Sequence, residues 1–273
     1  MGVFVNEFFA SCLLMMIGCC VTANVLLKGT KAPGRPWLIV IFGWAIGYSF
    51  AYFIVQTQDG VHINPLVTIA YVLLGELHWE MIPVYVFGQF TGAFTGAFII
   101  YFYYLTHFKD TVGARRKLHV FVPLPTNEYP PSLLFNETVG SFTFVFSLLN
   151  FFYYYTNPVT IAFLISLVVM TTGIAFGSSV SYANNPVRDL GPRFVYVLLN
   201  VKEKGLFRWQ SVFIQIFGSL LGGSYAALLF QRILLNVYNP IFWGITIFIV
   251  GNLIWLFVND FNSRKMIGTG KFH

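Results

Sequence analysis

The chain consists of long apolar runs, nearly free of charge, that are separated by short polar segments. Seven such runs are 1–27, 37–55, 82–105, 133–153, 159–176, 212–235 and 241–258. Each has roughly 17 to 27 residues, and a helix of about that length crosses the hydrocarbon core of a bilayer. The pattern predicts an all-α membrane protein in which each long run forms a transmembrane helix.

Polar landmarks occur twice along the chain in the same order. The paired members are Glu7 and Glu137, the dipeptides Asn64-Pro65 and Asn185-Pro186, and Gln89 and Gln215, which are separated by 130, 121 and 126 positions. Three ordered pairs at a nearly constant offset indicate a duplication. Because each copy carries three full spans, the second copy starts on the opposite side of the membrane. The repeats are therefore predicted to be inverted around a transport site near the midplane.

Two apolar segments between the full spans are too short to cross the membrane. They follow the two Asn-Pro pairs and end near residues 74 and 199. Since Asn is a favourable N-cap and Pro fits the first helical turn, each segment is expected to form a half-helix that starts at mid-membrane. Two helix N-termini meeting there carry partial positive charge and are expected to repel cations and protons. The amides of Asn64 and Asn185 are expected to donate to a passing hydroxyl group.

The irregular segments before the two asparagines are expected to line a pore. Non-helical backbone at membrane depth is tolerated where it faces a water-filled cavity. The residues whose backbone is expected to face the permeating solute are Gly60, Val61, His62, Ser181, Tyr182 and Ala183. We interpret His62 as a hydrogen-bonding residue and not as a metal ligand.

The two short motifs resemble those of a known family. Aquaporins carry two Asn-Pro-Ala motifs, and the similar motifs of this chain are Asn64-Pro65-Leu66 and Asn185-Pro186-Val187. Asp189 matches the aquaglyceroporin form of the second motif. The resemblance covers about residues 1–235 and implies a right-handed bundle of six transmembrane helices and two re-entrant half-helices, assembled as a homotetramer in the cell membrane. It also implies passive conduction of glycerol, water and other small uncharged solutes, without enzymatic activity, metal or cofactor.

The resemblance further implies a selectivity filter at four positions, Trp44, Gly173, Tyr182 and Arg188. Two aromatic side chains would hold the carbon edge of a polyol, the arginine would donate to its hydroxyl groups, and the glycine would leave room for its carbon skeleton. The structural alternatives are packing or interfacial anchoring for Trp44, a loop aromatic for Tyr182 and a basic loop end for Arg188. An ionisable residue beside a half-span is nevertheless functional by default.

The two repeated glutamates match buried glutamates that support the Asn-Pro loops in the family. Glu7 and Glu137 are therefore expected to accept hydrogen bonds from loop backbone N–H groups. Gln89 and Gln215 are expected to form hydrogen bonds between helices. These four roles are structural.

Leu66 and Val187 stand where the family usually has alanine. The resemblance implies that these side chains lie in the contact between the half-helices. Additional methylene groups there are expected either to push the half-helices apart or to repack their neighbours. The sequence therefore predicts either a wider pore centre or one of ordinary width with repacked neighbours.

The run 241–258 lies beyond the part of the chain that resembles the family. Eighteen helical residues reach about 27 Å, so this run either forms a seventh span or lies on the membrane surface. We divide the chain into a channel domain, 1–235, made of repeats at about 1–110 and 133–235, and an additional C-terminal segment, 236–273.

Composition agrees with a membrane location, because 57% of the residues are hydrophobic and only 10% are charged. Soluble domains carry about 25% charged residues. The net charge of +6 comes from Lys and Arg in short loops, with no basic tail, so no nucleic-acid partner is predicted.

Twelve of the sixteen basic residues lie in loops that the family places outside, against the positive-inside tendency. We still favour a cytoplasmic amino terminus.

Three alternative functions remain. A non-conducting structural or adhesion protein is favoured only if Leu66 and Val187 close the pore, and the other two alternatives transport solutes. A water-selective aquaporin would share the fold, but Gly173 and Asp189 argue against it. A secondary active transporter with inverted repeats would need an ion-coupling site, and the spans offer no acidic pair apart from Glu7 and Glu137.

Overall fold

The structure is a computed structural model that describes residues 2–55, 61–126, 129–177, 184–199, 201 and 209–268, with side chains described up to residue 261. Within these ranges the regular secondary structure is helical. The helices are α1 (Val3–Leu26), α2 (Trp37–Val55), α3 (Pro65–Leu74), α4 (Ile82–Tyr103), α5 (Leu105–Asp110), α6 (Ala114–Phe121), α7 (Pro130–Tyr154), α8 (Pro158–Phe176), α9 (Pro186–Leu198), α10 (Trp209–Leu234) and α11 (Ile241–Gly268). Among the described residues, seven helices are long and apolar enough to cross a membrane, which confirms the predicted fold class.

The half-helices α3 and α9 each begin at the proline of an Asn-Pro pair. The Asn64 side chain caps α3 by accepting a hydrogen bond from the backbone N–H of Leu66 at 2.9 Å. The Asn185 side chain caps α9 by accepting from the N–H groups of Val187 at 3.2 Å and Arg188 at 3.3 Å. With 10 and 13 residues, the two helices are too short to span a bilayer. The predicted N-caps and half-helices are therefore confirmed.

Glycine faces bring the helices of each repeat into close contact. On α4, a Cβ atom at Gly88 would lie 2.7 Å from the backbone oxygen of Phe4 in α1. On α10, a Cβ atom at Gly218 would lie 2.9 Å from the backbone oxygen of Leu134 in α7. Small residues allow such backbone approach in lipid. The equivalent contacts α1–α4 and α7–α10 are the most extensive in the fold, as a duplicated unit requires.

The C-terminal helix α11 runs antiparallel to α10 along its outer face. Phe242 stacks on Tyr225 with ring centroids 5.2 Å apart, and Phe248 contacts Phe217 at 5.8 Å. Successive residues of α11 therefore contact progressively earlier residues of α10. Because α10 is long enough to cross the membrane, α11 follows it across. The most apolar stretch of α11 is exposed on the protein, as expected of a helix that faces lipid. This geometry favours a seventh span over a helix lying on the membrane surface.

We expect a protease-cleavable tag before Met1 and one after His273 to be accessible from opposite faces of sealed vesicles, since seven spans is an odd number. Truncating the chain after Asn236 removes α11 and should bring the two tags to the same face. The measurement is immunoblotting of tag cleavage in intact and permeabilised vesicles. Cleavage of both tags from one face of the full-length protein would show that α11 does not span.

Candidate functional site

The two half-helices meet at their N-termini through reciprocal hydrogen bonds. Asn64 Nδ2 donates to the backbone oxygen of Asn184 at 2.7 Å, and Asn185 Nδ2 donates to the backbone oxygen of Ile63 at 2.9 Å. The predicted proximity of the two asparagines is therefore confirmed, although 121 positions separate them. A side-chain amide carries two N–H groups, so each asparagine can still offer one N–H to a molecule beside it.

The residues before the two asparagines adopt an uncommon backbone conformation that makes this pairing possible. Ile63 has a φ of 61° and Asn184 a φ of 39°. A β-branched residue such as isoleucine rarely adopts positive φ, and such strain persists where the surroundings enforce it. In both repeats the residue with positive φ is the one whose carbonyl accepts from the opposite asparagine. The Asn184 side chain is further held by the Ser141 hydroxyl, which donates to its Oδ1 at 3.1 Å.

A cavity lies beside the paired asparagines. Its lining residues are Leu14, Trp44, Tyr48, Asn64, Phe144, Val169, Asn184, Asn185 and Arg188. The centres of water molecules have about 40 Å³ available to them. One water needs roughly 10 to 15 Å³ on this measure, so the cavity accommodates a short file of small molecules. Three amides, one guanidinium and the Tyr48 hydroxyl lie among otherwise apolar walls, which suits a small solute with hydroxyl groups on one side and carbon on the other.

Two of the four predicted filter residues are in direct contact. The Arg188 guanidinium carbon lies 4.1 Å from the centroid of the Trp44 ring. The indole N–H of Trp44 donates to Thr22 Oγ1 at 3.1 Å, and its ring packs so closely on α1 that a Cβ at Gly18 would lie 2.5 Å from it. The ring is therefore fixed at the wall of the cavity, and the guanidinium lies over its face.

The other two filter positions differ in what the structure says about them. Gly173 is buried in α8, one helical turn from the cavity residue Val169. Tyr182 lies outside the described residues, as do Gly60, Ser181 and Ala183 of the predicted loop backbone. The filter as a set of four therefore stays a prediction.

Glu7 anchors the first Asn-Pro loop. It is only 1% exposed, and its carboxylate accepts hydrogen bonds from the backbone N–H of His62 at 2.5 Å, the backbone N–H of Ile63 at 2.8 Å and the Gln89 amide at 2.9 Å. These are the backbone contacts predicted for Glu7, and the helix-to-helix contact predicted for Gln89. A loop in membrane interior needs such acceptors, because an unpaired N–H in hydrocarbon is costly.

The second repeat has a matching glutamate in α7. Glu137 is fully buried at the position equivalent to Glu7. The loop that it is predicted to support, 178–183, lies outside the described residues, and so this role stays a prediction. Gln215, the counterpart of Gln89, is buried in α10.

The predicted loop backbone of the first repeat is buried and already hydrogen-bonded in part. Val61 and His62 are both buried, and the His62 carbonyl accepts from the Tyr48 hydroxyl at 3.2 Å. The His62 ring stacks against Tyr85 at 4.4 Å and its Nδ1 lies 3.1 Å from Thr68 Oγ1. Hydrogen bonding and ring packing thus account for this histidine.

Asp189 forms an ion pair inside α9. Arg193 donates to Asp189 Oδ1 from Nε at 3.1 Å and from Nη2 at 2.7 Å. Both side chains are almost completely buried. Because a buried charge is stable only when it is paired, Asp189 allows α9 to carry Arg193 into the protein interior, beside the half-helix N-terminus that holds Arg188.

The bulky residues that replace alanine in the two motifs are accommodated by repacking. Leu66 and Val187 are 1% and 3% exposed. A Cβ atom at Gly223 in α10 would lie 3.2 Å from the Cβ and 3.6 Å from the Cδ2 of Leu66, so the leucine side chain packs against the glycine. The reciprocal asparagine hydrogen bonds keep ordinary lengths. Of the two outcomes expected from the sequence, repacking therefore applies, and the half-helix ends stay in contact.

The connection between α4 and α7 packs against the half-helix that carries Arg188. In α6, His119 stacks on Trp37 with ring centroids 5.9 Å apart, and the Tyr196 hydroxyl of α9 donates to the Ala114 carbonyl at 3.5 Å. Burial, reinforced by Arg188 and Arg115, lowers the pKa of His119 to about 4. This histidine is therefore uncharged at neutral pH and adds no positive charge near Arg188.

The sequence profile of the major intrinsic protein family matches residues 1–230. The chain belongs to the major intrinsic protein family.

Relatives within the family span most of the chain. The glycerol uptake facilitator protein of Bacillus subtilis (strain 168) is 33% identical over 277 residues and the full length of both chains. The probable glycerol uptake facilitator protein of Thermotoga maritima is 33% identical over 235 residues, covering 85% of this chain and 99% of the relative. The X-ray structure of the aquaglyceroporin from Plasmodium falciparum has the same fold, with a TM-score of 0.74 and 22% identity over 85% of this chain and 95% of the other.

Several residues that line the cavity of this major intrinsic protein were not singled out from the sequence. They are Leu14, Tyr48, Phe144 and Val169. The duplication relates them in pairs, because Leu14 and Phe144 each follow a repeated glutamate by seven positions, and Tyr48 and Val169 each precede a repeated asparagine by sixteen. It does not indicate which of the many equivalent pairs face the pore.

We expect Glu7→Gln to reduce the amount of folded protein and lower its unfolding temperature. The substituted amide retains one acceptor oxygen for three N–H groups, and each buried donor left without a partner costs about 1–3 kcal/mol. The measurement is thermal unfolding followed by size-exclusion chromatography in detergent.

Glu80→Gln is the matched control for this experiment, because Glu80 is exposed and has no comparable set of donors. It should leave the unfolding temperature unchanged. Equal unfolding temperatures for Glu7→Gln and Glu80→Gln would contradict the anchoring role of Glu7.

Proposed function

We propose that this protein is a passive transmembrane channel for glycerol and other small uncharged solutes, including water, that excludes protons and ions. The observation that carries the proposal is the central cavity, where the Asn64 and Asn185 amides and the Arg188 guanidinium meet apolar and aromatic walls. The N–H groups donate hydrogen bonds to the hydroxyl groups of a polyol, and the Trp44 ring contacts its carbon edge. The glycerol facilitators named among its relatives support this choice of solute.

Ion exclusion follows from the helix ends at the same place. The N-termini of α3 and α9 each carry about half a positive charge, and Arg188 adds a full charge beside them. A cation passing the two asparagines meets repulsion from all three groups. The side chains lining the cavity offer donors, so a desolvated cation finds few ligands to replace its hydration shell.

The solute preference of the channel is proposed to depend on Gly173 and Tyr182 together with Trp44 and Arg188. A water-selective channel is the alternative, and Gly173 and Asp189 argue against it. Two of the buried carboxylates already have partners that argue against ion coupling through them, because that of Glu7 binds loop backbone and that of Asp189 binds Arg193.

The assembly and location are part of the same proposal. We infer a homotetramer with one pore per chain, embedded in the lipid bilayer of the cell membrane, with the amino terminus in the cytoplasm. The channel domain comprises residues 1–235, and the segment 236–273 adds the outer helix α11.

We expect purified protein in lipid vesicles to raise glycerol permeability well above that of empty vesicles, without a proton current. Stopped-flow light scattering measures glycerol and water permeability, and a pH-sensitive dye inside the vesicles reports protons. Glycerol permeability equal to that of empty vesicles, with correctly folded and inserted protein, would contradict the proposed function.

We expect Gly173→His to lower glycerol permeability by at least about tenfold, because an added side chain in an apolar constriction excludes the larger solute first. Water permeability should fall much less. The control is Gly244→His on the outer helix, where a side chain meets nothing within 4 Å and both permeabilities should persist. An equal loss of both permeabilities in Gly173→His would place this residue away from the filter.

A further inference from the structure

The walls of the central cavity follow the internal repeat. Its lining includes three pairs of equivalent residues, Leu14 and Phe144 on α1 and α7, Tyr48 and Val169 on α2 and α8, and Asn64 and Asn185. The offsets within these pairs are 130, 121 and 121 positions, the same offsets that relate the glutamates and the Asn-Pro motifs. Each half of the chain therefore supplies one set of walls to the same opening.

The two members of each apolar pair differ in size. The repeat equivalent of Leu14 is Phe144 and that of Val169 is Tyr48, so each half supplies one aliphatic and one aromatic residue to the cavity. The rings of Tyr48 and Phe144 contact each other with centroids 6.0 Å apart at an interplanar angle of 63°, an edge-to-face geometry that is favourable for aromatic pairs. The two aromatic residues, each of which has an aliphatic equivalent in the other repeat, thus lie side by side and fill one side of the opening.

Tyr48 is also fixed at its far end. Its hydroxyl donates to the His62 carbonyl at 3.2 Å, and the side chain is 6% exposed. The ring is therefore held at one edge by Phe144 and at its tip by the first Asn-Pro loop, which Glu7 anchors in turn. A ring held at both ends cannot move aside for a larger solute as a free side chain would.

We propose that Tyr48 is a further specificity-determining residue, which forms with Phe144 an aromatic constriction one helical turn along α2 from Trp44. This proposal rests on the proposed solute channel and adds a second size limit to it. Four residues of α2 separate the two levels by about 6 Å, so a solute that has passed Trp44 and Arg188 meets the aromatic pair next. The constriction should reject polyols longer than glycerol more strongly than the filter alone.

The test compares Tyr48→Val with Tyr52→Val. Valine is the residue that the equivalent position, Val169, already carries. Tyr52 is a matched control, because it lies one turn further along α2 and stacks on Phe152 of α7 at 6.2 Å, but it is not among the described residues that line the cavity. Vesicles with equal amounts of inserted protein are assayed for glycerol, erythritol and water permeability.

We expect Tyr48→Val to raise the ratio of erythritol to glycerol permeability by roughly tenfold, the lower end of what a methylene-sized misfit contributes in an apolar site. Tyr52→Val should leave the ratio at its wild-type value. An unchanged ratio in Tyr48→Val, or an equal increase in both variants, would overturn the proposal.

Tyr48→Phe separates ring volume from the hydrogen bond. It retains the ring and its edge-to-face contact with Phe144 and removes the hydroxyl that binds the His62 carbonyl, so the permeability ratio should rise much less than in Tyr48→Val. An increase as large as that of Tyr48→Val would show that the ring itself does not set the limit, and would overturn the proposal.

Failure of the proposed function can be distinguished from failure of this inference. If wild-type protein passes no glycerol, the proposed function fails. Water permeability then tests whether Tyr48 narrows the pore. Increased water permeability in Tyr48→Val but not in Tyr52→Val would still support the constriction, whereas equal water permeability in all three proteins would overturn it.

Discussion

The reciprocal hydrogen bonds between the two half-helix ends are the interaction on which the rest of the structure depends. Asn64 and Asn185 each use their side-chain oxygen to cap their own helix and one N–H to bind the opposite loop. The accepting carbonyls belong to Ile63 and Asn184, the two residues whose positive φ turns them toward the partner. The positive φ angles, the helix caps and the contact between the two repeats therefore depend on the same two asparagine side chains.

This arrangement determines what the channel can conduct. The asparagine oxygens are engaged by the helix caps, so the side-chain groups that remain for a solute are N–H donors. Arg188 adds further donors over the Trp44 ring. A molecule with hydroxyl groups can accept these hydrogen bonds, whereas a cation is repelled by the helix ends and the guanidinium. Anchoring by Glu7 at the rear of the loop keeps the donors in position.

Much of the fold could be predicted from the sequence, because its patterns are physically restrictive. Apolar runs of sufficient length predict spans, an Asn-Pro pair before a short run predicts a capped half-helix, and the repeated offset predicts that Asn64 and Asn185 meet. The contacts of Glu7 were implied by the resemblance to aquaporins, and the need of a buried loop for acceptors explains them physically. Each of these depends on chain length or polarity, which sequence records directly.

The pore walls were harder to predict, because the spanning helices are apolar on all sides. A pore-facing Tyr48 or Phe144 does not differ in polarity from a residue that faces lipid or a neighbouring helix, so no amphipathic stripe marks it. The packing of Leu66 against Gly223 depends on how α10 crosses α3, which becomes apparent only in three dimensions. The filter residue Tyr182 lies outside the described residues and stays a prediction.

An experimental structure determined in the presence of glycerol tests the central claim most directly. The account predicts Asn64 and Asn185 in contact through the opposite loops, and glycerol in single file between Trp44 and the two amides, with its hydroxyl groups within hydrogen-bonding distance of their N–H groups. Asparagines more than about two helix diameters apart, roughly 20 Å, or glycerol ordered along a different path through the protein, would contradict it.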